Sequence, residues 1–240
     1  MNPEIIIIGF PKCGTSALIR SLMEDPQIRV LRTPEGAIEV PWPLICDIRP
    51  EVERGTILAH KYTSYVYNRN SLEYLVKLNP NSFIVLCVRD PVKSLVSWHN
   101  MHRTIARTGR QKQHFAWKER DFYSECELTE YYEHFASRKL QYDQHLKATL
   151  KVVPKERLVV VSQERMAQDI HSVRLYLKAL ALGKVGSAST ASAPDGDRSK
   201  HTGYADSIGI ELDVTILNEL HGVQKRLCEI ISNDVVYKCI

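Results

Sequence analysis

The stretch Ile5-Ile-Ile-Ile-Gly-Phe-Pro-Lys-Cys-Gly-Thr-Ser16 decides the architecture. It opens on an unbroken apolar run. A strand apolar on both faces is one buried on both faces, as in the centre of a parallel sheet. A Pro/Gly turn follows, and from about Thr15 to Met23 the apolar residues recur at helical spacing. Strand, Gly-rich turn and helix together make an anion site, because a helix start offers unpaired N–H groups and the positive end of its dipole. Gly14 allows close backbone approach, Thr15 and Ser16 add hydroxyl donors, and Lys12 adds a full charge.

Working outward, the chain keeps alternating. Strands are expected at Ile28 to Leu31, Thr56 to Lys61, Phe83 to Val88 and Leu158 to Val161. Helices are expected at Leu72 to Leu78, from Pro91 to about Arg107, from Thr129 to about Leu150, from Met166 to Leu182 and from Leu212 to Ser232. Asp90 and Pro91 form a helix start, with Asp90 as N-cap and Pro91 at the first helical position. Prolines at 34, 41, 43 and 50 break up the region from Arg32 to Gly55. Residues 183–197 are rich in Gly, Ser and Ala and read as a flexible loop. The alternation implies an α/β fold: a central, mainly parallel sheet flanked by helices in three layers, similar to the P-loop nucleotide triphosphatases. The 240 residues are expected to form a single domain.

Composition narrows the function. Basic and acidic residues number 32 and 28, a formal charge of +4, which argues against a nucleic-acid-coating protein. No apolar run approaches the ~20 residues of a membrane span, and no basic-then-apolar leader is evident. The six cysteines, Cys13, Cys46, Cys87, Cys126, Cys228 and Cys239, include no CxxC pair. They read as free thiols in a reducing, cytoplasmic setting, and no metal site is expected. Neither a nucleic-acid nor a membrane partner is expected.

Gly9 and Gly14 have the separation of the triphosphatase loop GxxxxGK[ST], but the lysine precedes the second glycine where that loop has it after. The moved lysine favours a nucleotide without a γ-phosphate to clasp. Here the chain resembles the sulfotransferases that use 3′-phosphoadenosine 5′-phosphosulfate (PAPS). Their loop PKxGT[ST]xL compares with Pro11-Lys12-Cys13-Gly14-Thr15-Ser16-Ala17-Leu18. The resemblance implies that this loop, Pro11 to Ala17, holds the 5′-phosphosulfate. Lys12 is then at the leaving oxygen, and Gly14, Thr15 and Ser16 at the 5′-phosphate.

A second motif lies 75 residues beyond Gly14, where the strand Phe83 to Val88 runs into Arg89-Asp90-Pro91 and a helix. Arg89 stands where open α/β sheets bind ligands and can grip a phosphate bidentately. The segment resembles the family motif RDPxxRxxSxY. Arg89 and Ser97 match its 3′-phosphate contacts, Ser94 stands where the family often has Arg, and His99 where it often has Tyr.

The segment Ala59-His-Lys-Tyr-Thr-Ser-Tyr65 resembles the EKxPxY segment of carbohydrate-type members, with Lys61 and Tyr65 matching. His60 replaces a Glu that often acts there as base, and histidine is a competent base near neutral pH. His60 is the first candidate, with Glu35, Glu39, His99 and His102 as alternatives; Lys61 is expected beside the transferred group. Six basic residues between His102 and Arg120 read either as a site for an anionic acceptor or as a solvated face. Arg198 and Lys200 occupy the place of a family segment that closes over the nucleotide.

The expected function is metal-free transfer of a sulfuryl group from PAPS to a hydroxyl of a small molecule or glycan, leaving adenosine 3′,5′-bisphosphate (PAP). The rivals are an ATP-using P-loop kinase of small molecules and a non-catalytic module that binds a nucleotide or sulfated glycan. Neither acceptor identity nor oligomeric state is legible.

Overall fold

The computed structural model describes residues 3–32, 38–39, 41, 53, 55–109, 117–183, 212–235 and 237–239. Its strands are β1 (Ile5–Gly9), β2 (Ile28–Val30), β3 (Ile57–Lys61), β4 (Phe83–Val88), β5 (Leu158–Ser162) and β6 (Tyr237–Cys239). They form one sheet in the order β2-β3-β1-β4-β5-β6, with every neighbouring pair parallel. Ile5 to Ile8 are fully buried, as a strand flanked on both sides and covered on both faces requires.

Chain order sets the position of the site. From β1 the connections run out to β2 and β3 on one side, and then to β4, β5 and β6 on the other. The order reverses between β1 and β4, and ligands of open parallel sheets bind at that switch point, beyond the strands' C-terminal ends. Gly9 pairs with Cys87 there, and Lys61 ends β3 beside Ile7.

Helices α1 (Thr15–Met23), α2 (Arg69–Leu78), α3 (Pro91–Thr108) and α4 (Trp117–Glu125) follow one another along the chain, with a 3-10 turn at Thr63–Tyr67 before α2. Then come α5 (Leu128–Tyr131), α6 (Tyr142–Leu150), α7 (Gln163–Ala181) and α8 (Val214–Asp234). Helices α1 and α7 pack together and on the strands. The 3-10 turn, α2 and α6 pack in a second group, which α8 joins to α3. Asp90 caps α3 by accepting from Lys93 N at 2.9 Å. Helix α8 buries Ile216, Leu220, Val223, Leu227, Ile230 and Ile231 as one stripe. Among the described residues, no helix is long and apolar enough to cross a membrane, and Cys13, Cys87, Cys126 and Cys228 are free thiols.

The structure departs from the sequence expectation in four places, the first being helix α4, which was not expected. The helix expected from Thr129 to Leu150 is broken: α5 gives way to a π-helical turn at Tyr132–Ala136, and α6 starts only at Tyr142. Packing overrides periodicity here. Tyr131 and Phe135 join a ring cluster with Trp98 and His102, while Lys139 lies 4.0 Å over the Phe135 ring. Tyr142 instead stacks on Phe10, with centroids 3.8 Å apart. Helix α7 is interrupted at Asp169, whose carboxylate accepts from Ser172 N and restarts it. Strand β6 was not expected, being only three residues long. The loop expected at 183–197 falls, apart from Gly183, outside the described residues.

Candidate active site

The loop between β1 and α1 is shaped by backbone and held from beneath. Gly14 caps α1 in the left-handed region (φ 82°), with no side-chain cap on the helix. The first N–H groups of α1 are therefore left for a ligand. A Cβ at Gly14 meets the mobile end of Met166 at 2.7 Å, a contact that side chain can yield, so the left-handed backbone is what calls for glycine there. Lys12 is left-handed too, at φ 61°. The turn exposes Ser16, half-buries Pro11, Lys12 and Ala17, and sends the Cys13 side chain into the core. Burial pushes the Cys13 thiol up to about 12, so it is an inert anchor, and its share in a site is its backbone alone.

A relay of hydroxyls supports this loop. The Tyr142 hydroxyl, fully buried, donates to Ser94 Oγ at 2.8 Å, and Ser94 Oγ donates to the Pro11 carbonyl. Cys13 Sγ donates to the same carbonyl at 3.5 Å and lies 3.8 Å from the Tyr142 oxygen. Ser94, at the position where arginine is frequent in the resembling motif, thus braces the loop. Sequence reasoning passed over Tyr142, which lies 48 residues from Ser94.

Arg89 leaves β4 toward the same loop, and its Nη1 donates to the Lys12 carbonyl at 3.3 Å. Its Nε is buried with no hydrogen-bond partner among the described residues. A buried, unmatched guanidinium N–H is costly, and an anion is the acceptor that would satisfy it most strongly. Lys12 Nζ donates to Met101 Sδ at 3.7 Å. Burial, and then the Arg89 charge, lowers the Lys12 ammonium pKa from its ordinary value. Ser97 is half-buried on α3, one turn past Ser94.

On the other side, Lys61 Nζ donates to Ser16 Oγ at 3.1 Å and to Glu39 Oε2 at 2.8 Å. Glu39 forms a parallel bridge with Lys61 and accepts from the N–H and hydroxyl of Thr63. Burial alone would raise the Glu39 carboxyl; the Lys61 and Thr63 bonds and the Lys61 charge outweigh it and hold it below its ordinary value.

His60, expected as base, is not brought to this cluster. Strand residues alternate in direction, so Lys61 reaching Ser16 sends His60 to the opposite face of the sheet. There it is 0% exposed, with its ring 6.2 Å from that of Tyr65, and burial lowers its pKa to about 4. The alternatives His99 and His102 are built into the ring cluster. His99 Nε2 donates to the Cys126 carbonyl at 2.9 Å, and His102 Nδ1 pairs with the Tyr131 hydroxyl at 3.0 Å. In the basic segment, Arg107 and Arg120 tie α3 to α4 through the carbonyls of Ser124 and Ala106. Glu35, Arg198 and Lys200 lie outside the described residues.

The family model described as "Sulfotransferase domain" matches residues 2–175, which include the described groups named above but neither Arg198 nor Lys200. The chain belongs to the sulfotransferase family. Heparan sulfate glucosamine 3-O-sulfotransferase 6 of Homo sapiens is 25% identical over 173 residues, covering 70% of this chain and 48% of that relative. Heparan sulfate glucosamine 3-O-sulfotransferase 3B1 of Mus musculus is 28% identical over 101 residues, 40% of this chain and 25% of that relative. This sulfotransferase thus spans about half, or less, of the curated relatives it matches. A sulfotransferase from Alicyclobacillus acidocaldarius shares the fold, with a TM-score of 0.57, 20% identity and 98% of each chain covered.

Proposed function

We propose that this sulfotransferase moves a sulfuryl group from PAPS to an acceptor hydroxyl at the switch point between β1 and β4. The observation that carries this reading is the pairing of an uncapped α1 start with Arg89, whose buried Nε has no partner among the described residues. Together these groups suit a nucleotide bearing anions at both ends. PAPS supplies an activated sulfuryl group whose bond to the 5′-phosphate oxygen breaks as the acceptor oxygen bonds to sulfur.

The chain's own groups have separable roles in this reading. The N–H groups and hydroxyls of Gly14, Thr15 and Ser16 hold the 5′-phosphate; Arg89 and Ser97 hold the 3′-phosphate. Lys12 stabilises the departing phosphate oxygen, and its lowered pKa makes it the better proton donor. Glu39 takes the acceptor proton in place of His60, because Glu39 faces Lys61 and His60 does not. Lys61 aligns Glu39 and Ser16 across the reaction centre. Most of the acceleration comes from positioning and fixed charge.

Titration calorimetry with PAP and with Mg²⁺-ATP tests this assignment. PAP binds and ATP does not; Arg89→Ala weakens PAP by roughly 10- to 100-fold, the worth of a charge-assisted contact; Lys12→Ala lowers turnover far more than PAP affinity. Tight ATP binding without PAP binding would make the protein a kinase. PAP binding without transfer to any acceptor would make it a binding module.

A further inference from the structure

A cavity of about 480 Å³ opens where the chain leaves β3. Its volume lies within the roughly 300–1,000 Å³ of small-molecule sites. Its described walls adjoin Glu39 and Lys61 along the chain. Tyr62 is the residue after Lys61, Pro41 lies two residues past Glu39, and Tyr65 and Ser64 come from the turn that begins at Thr63. Asn70 and Tyr74 of α2 complete the far side. The rings of Tyr62 and Tyr65 meet edge to face at 4.9 Å, forming a rigid aromatic corner, and Tyr74 is 56% exposed at the rim.

None of the described lining residues carries a charge. Three tyrosines offer flat apolar faces with a polar tip, while the serines and asparagines offer neutral donors and acceptors. Such a surface matches a ring that carries hydroxyls. A sulfate or carboxylate placed there would lose water without gaining a cationic partner, which is unfavourable. The curated relatives are named for heparan sulfate, a sulfate-bearing chain; these walls suit a different substrate.

We infer that this cavity is the acceptor site and that it takes an uncharged, ring-bearing alcohol, either a phenol or a neutral saccharide. The inference rests on the sulfotransferase reading above, and the test separates the two. PAP affinity is measured first by calorimetry on the full chain; if PAP does not bind, the sulfotransferase reading itself falls and the acceptor assignment with it. Transfer from radiolabelled PAPS is then followed to 2-naphthol, to phenyl β-D-glucopyranoside and to a heparan sulfate oligosaccharide. At least one neutral ring acceptor is turned over in preference to the oligosaccharide, and the two neutral compounds distinguish a phenol site from a saccharide site. Tyr74→Ala, a change at an exposed rim position, raises the KM of that acceptor roughly three- to tenfold and leaves PAP affinity unchanged. Ser64→Asp, which places a charge in the wall, acts in the same direction. The assignment is overturned by preference for the oligosaccharide, by neutral transfer indifferent to both variants, or by PAP binding with no neutral ring acceptor turned over.

Discussion

Replacing Glu39 with glutamine interrogates the reaction centre most directly. Glutamine keeps the side-chain length and an oxygen for Lys61 but cannot take up a proton. In the native protein the bonds from Lys61 and Thr63 outweigh burial and hold this carboxyl below its ordinary 4.5, so it is ionised through the neutral range. Loss of a positioned base costs about 10²- to 10⁴-fold in rate. Glu39→Gln should therefore lose at least about 100-fold in kcat while PAP affinity stays within about threefold. Stability should move much less. Glu39 is 40% exposed and Lys61 6% exposed, so the pair lies between an exposed bridge and a buried one. Exposed bridges are worth about 0–1 kcal/mol, and a buried charge that loses its partner costs about 3–5. The open carboxylate side and the retained amide oxygen place the cost near 1 kcal/mol, or roughly 2–4 °C in Tm for a chain of this size. A carboxyl whose folded pKa is depressed adds stability that is present above its unfolded pKa and lost as pH falls through the folded one. The Tm difference between native and variant protein should thus close on acidification below the ordinary carboxylate range. Initial rates with radiolabelled PAPS, PAP calorimetry and thermal melts across pH provide the readouts. Turnover within fivefold of native would refute the base assignment, and parallel loss of turnover and PAP affinity would place Glu39 on the donor instead.

Tyr142→Phe removes the hydroxyl that donates to Ser94 and leaves the Phe10 stack in place; it should cost about 1 kcal/mol, seen as a Tm loss of roughly 2–4 °C, and weaken PAP binding without changing acceptor KM. Gly14→Ala meets both a left-handed backbone and the Met166 methyl group; calorimetry should show PAP binding weakened more than tenfold, since the N–H groups of α1 lose their aim. Lys12→Gly and Lys12→Ala should both lose turnover, but the glycine variant should melt higher, by roughly 2–4 °C, because Lys12 sits at φ 61°, where a Cβ costs about 1 kcal/mol or more.

The loop and strand-end part of the candidate site was legible because its determinants are local. A fully apolar strand, a glycine at a helix start and an arginine at a strand end need only their neighbours in sequence to state their roles, and Ile5 to Ser16 and Arg89 lie where that reading puts them. The part around Lys61 and Glu39 was less legible because its determinants are alternation and long-range contact. Lys61 and His60 cannot both face α1, since adjacent strand residues point to opposite sides. Once Lys61 is assigned to Ser16, His60 is committed to the core, an inference open to sequence reasoning but not drawn from it. Glu39 was one of four alternatives, in a proline-broken stretch where no period singles it out, and its bridge to Lys61 is what distinguishes it. His99 and His102 resembled candidate bases until the aromatic rings around them came from elements about 30 residues away.

The brace beneath the loop follows from the same division between local and distant determinants. Two left-handed residues, Lys12 and Gly14, enclose Cys13. The glycine carries its conformation without strain; the lysine does not, and a loop free to relax would return Lys12 to an ordinary conformation and turn its ammonium aside. Arg89 holds the Lys12 carbonyl, Ser94 and Cys13 hold the Pro11 carbonyl, and Tyr142 holds Ser94. The break in the helix before Tyr142 is what delivers that hydroxyl. A continuous helix from Thr129 would satisfy more of its own backbone, but it would carry residue 142 on the helical phase of Tyr131 instead of letting the chain re-aim at Gln141. The irregular turn at Tyr132–Ala136 and the strained loop are therefore two ends of one arrangement, in which helical regularity is given up to hold the loop backbone in a conformation it would not otherwise keep.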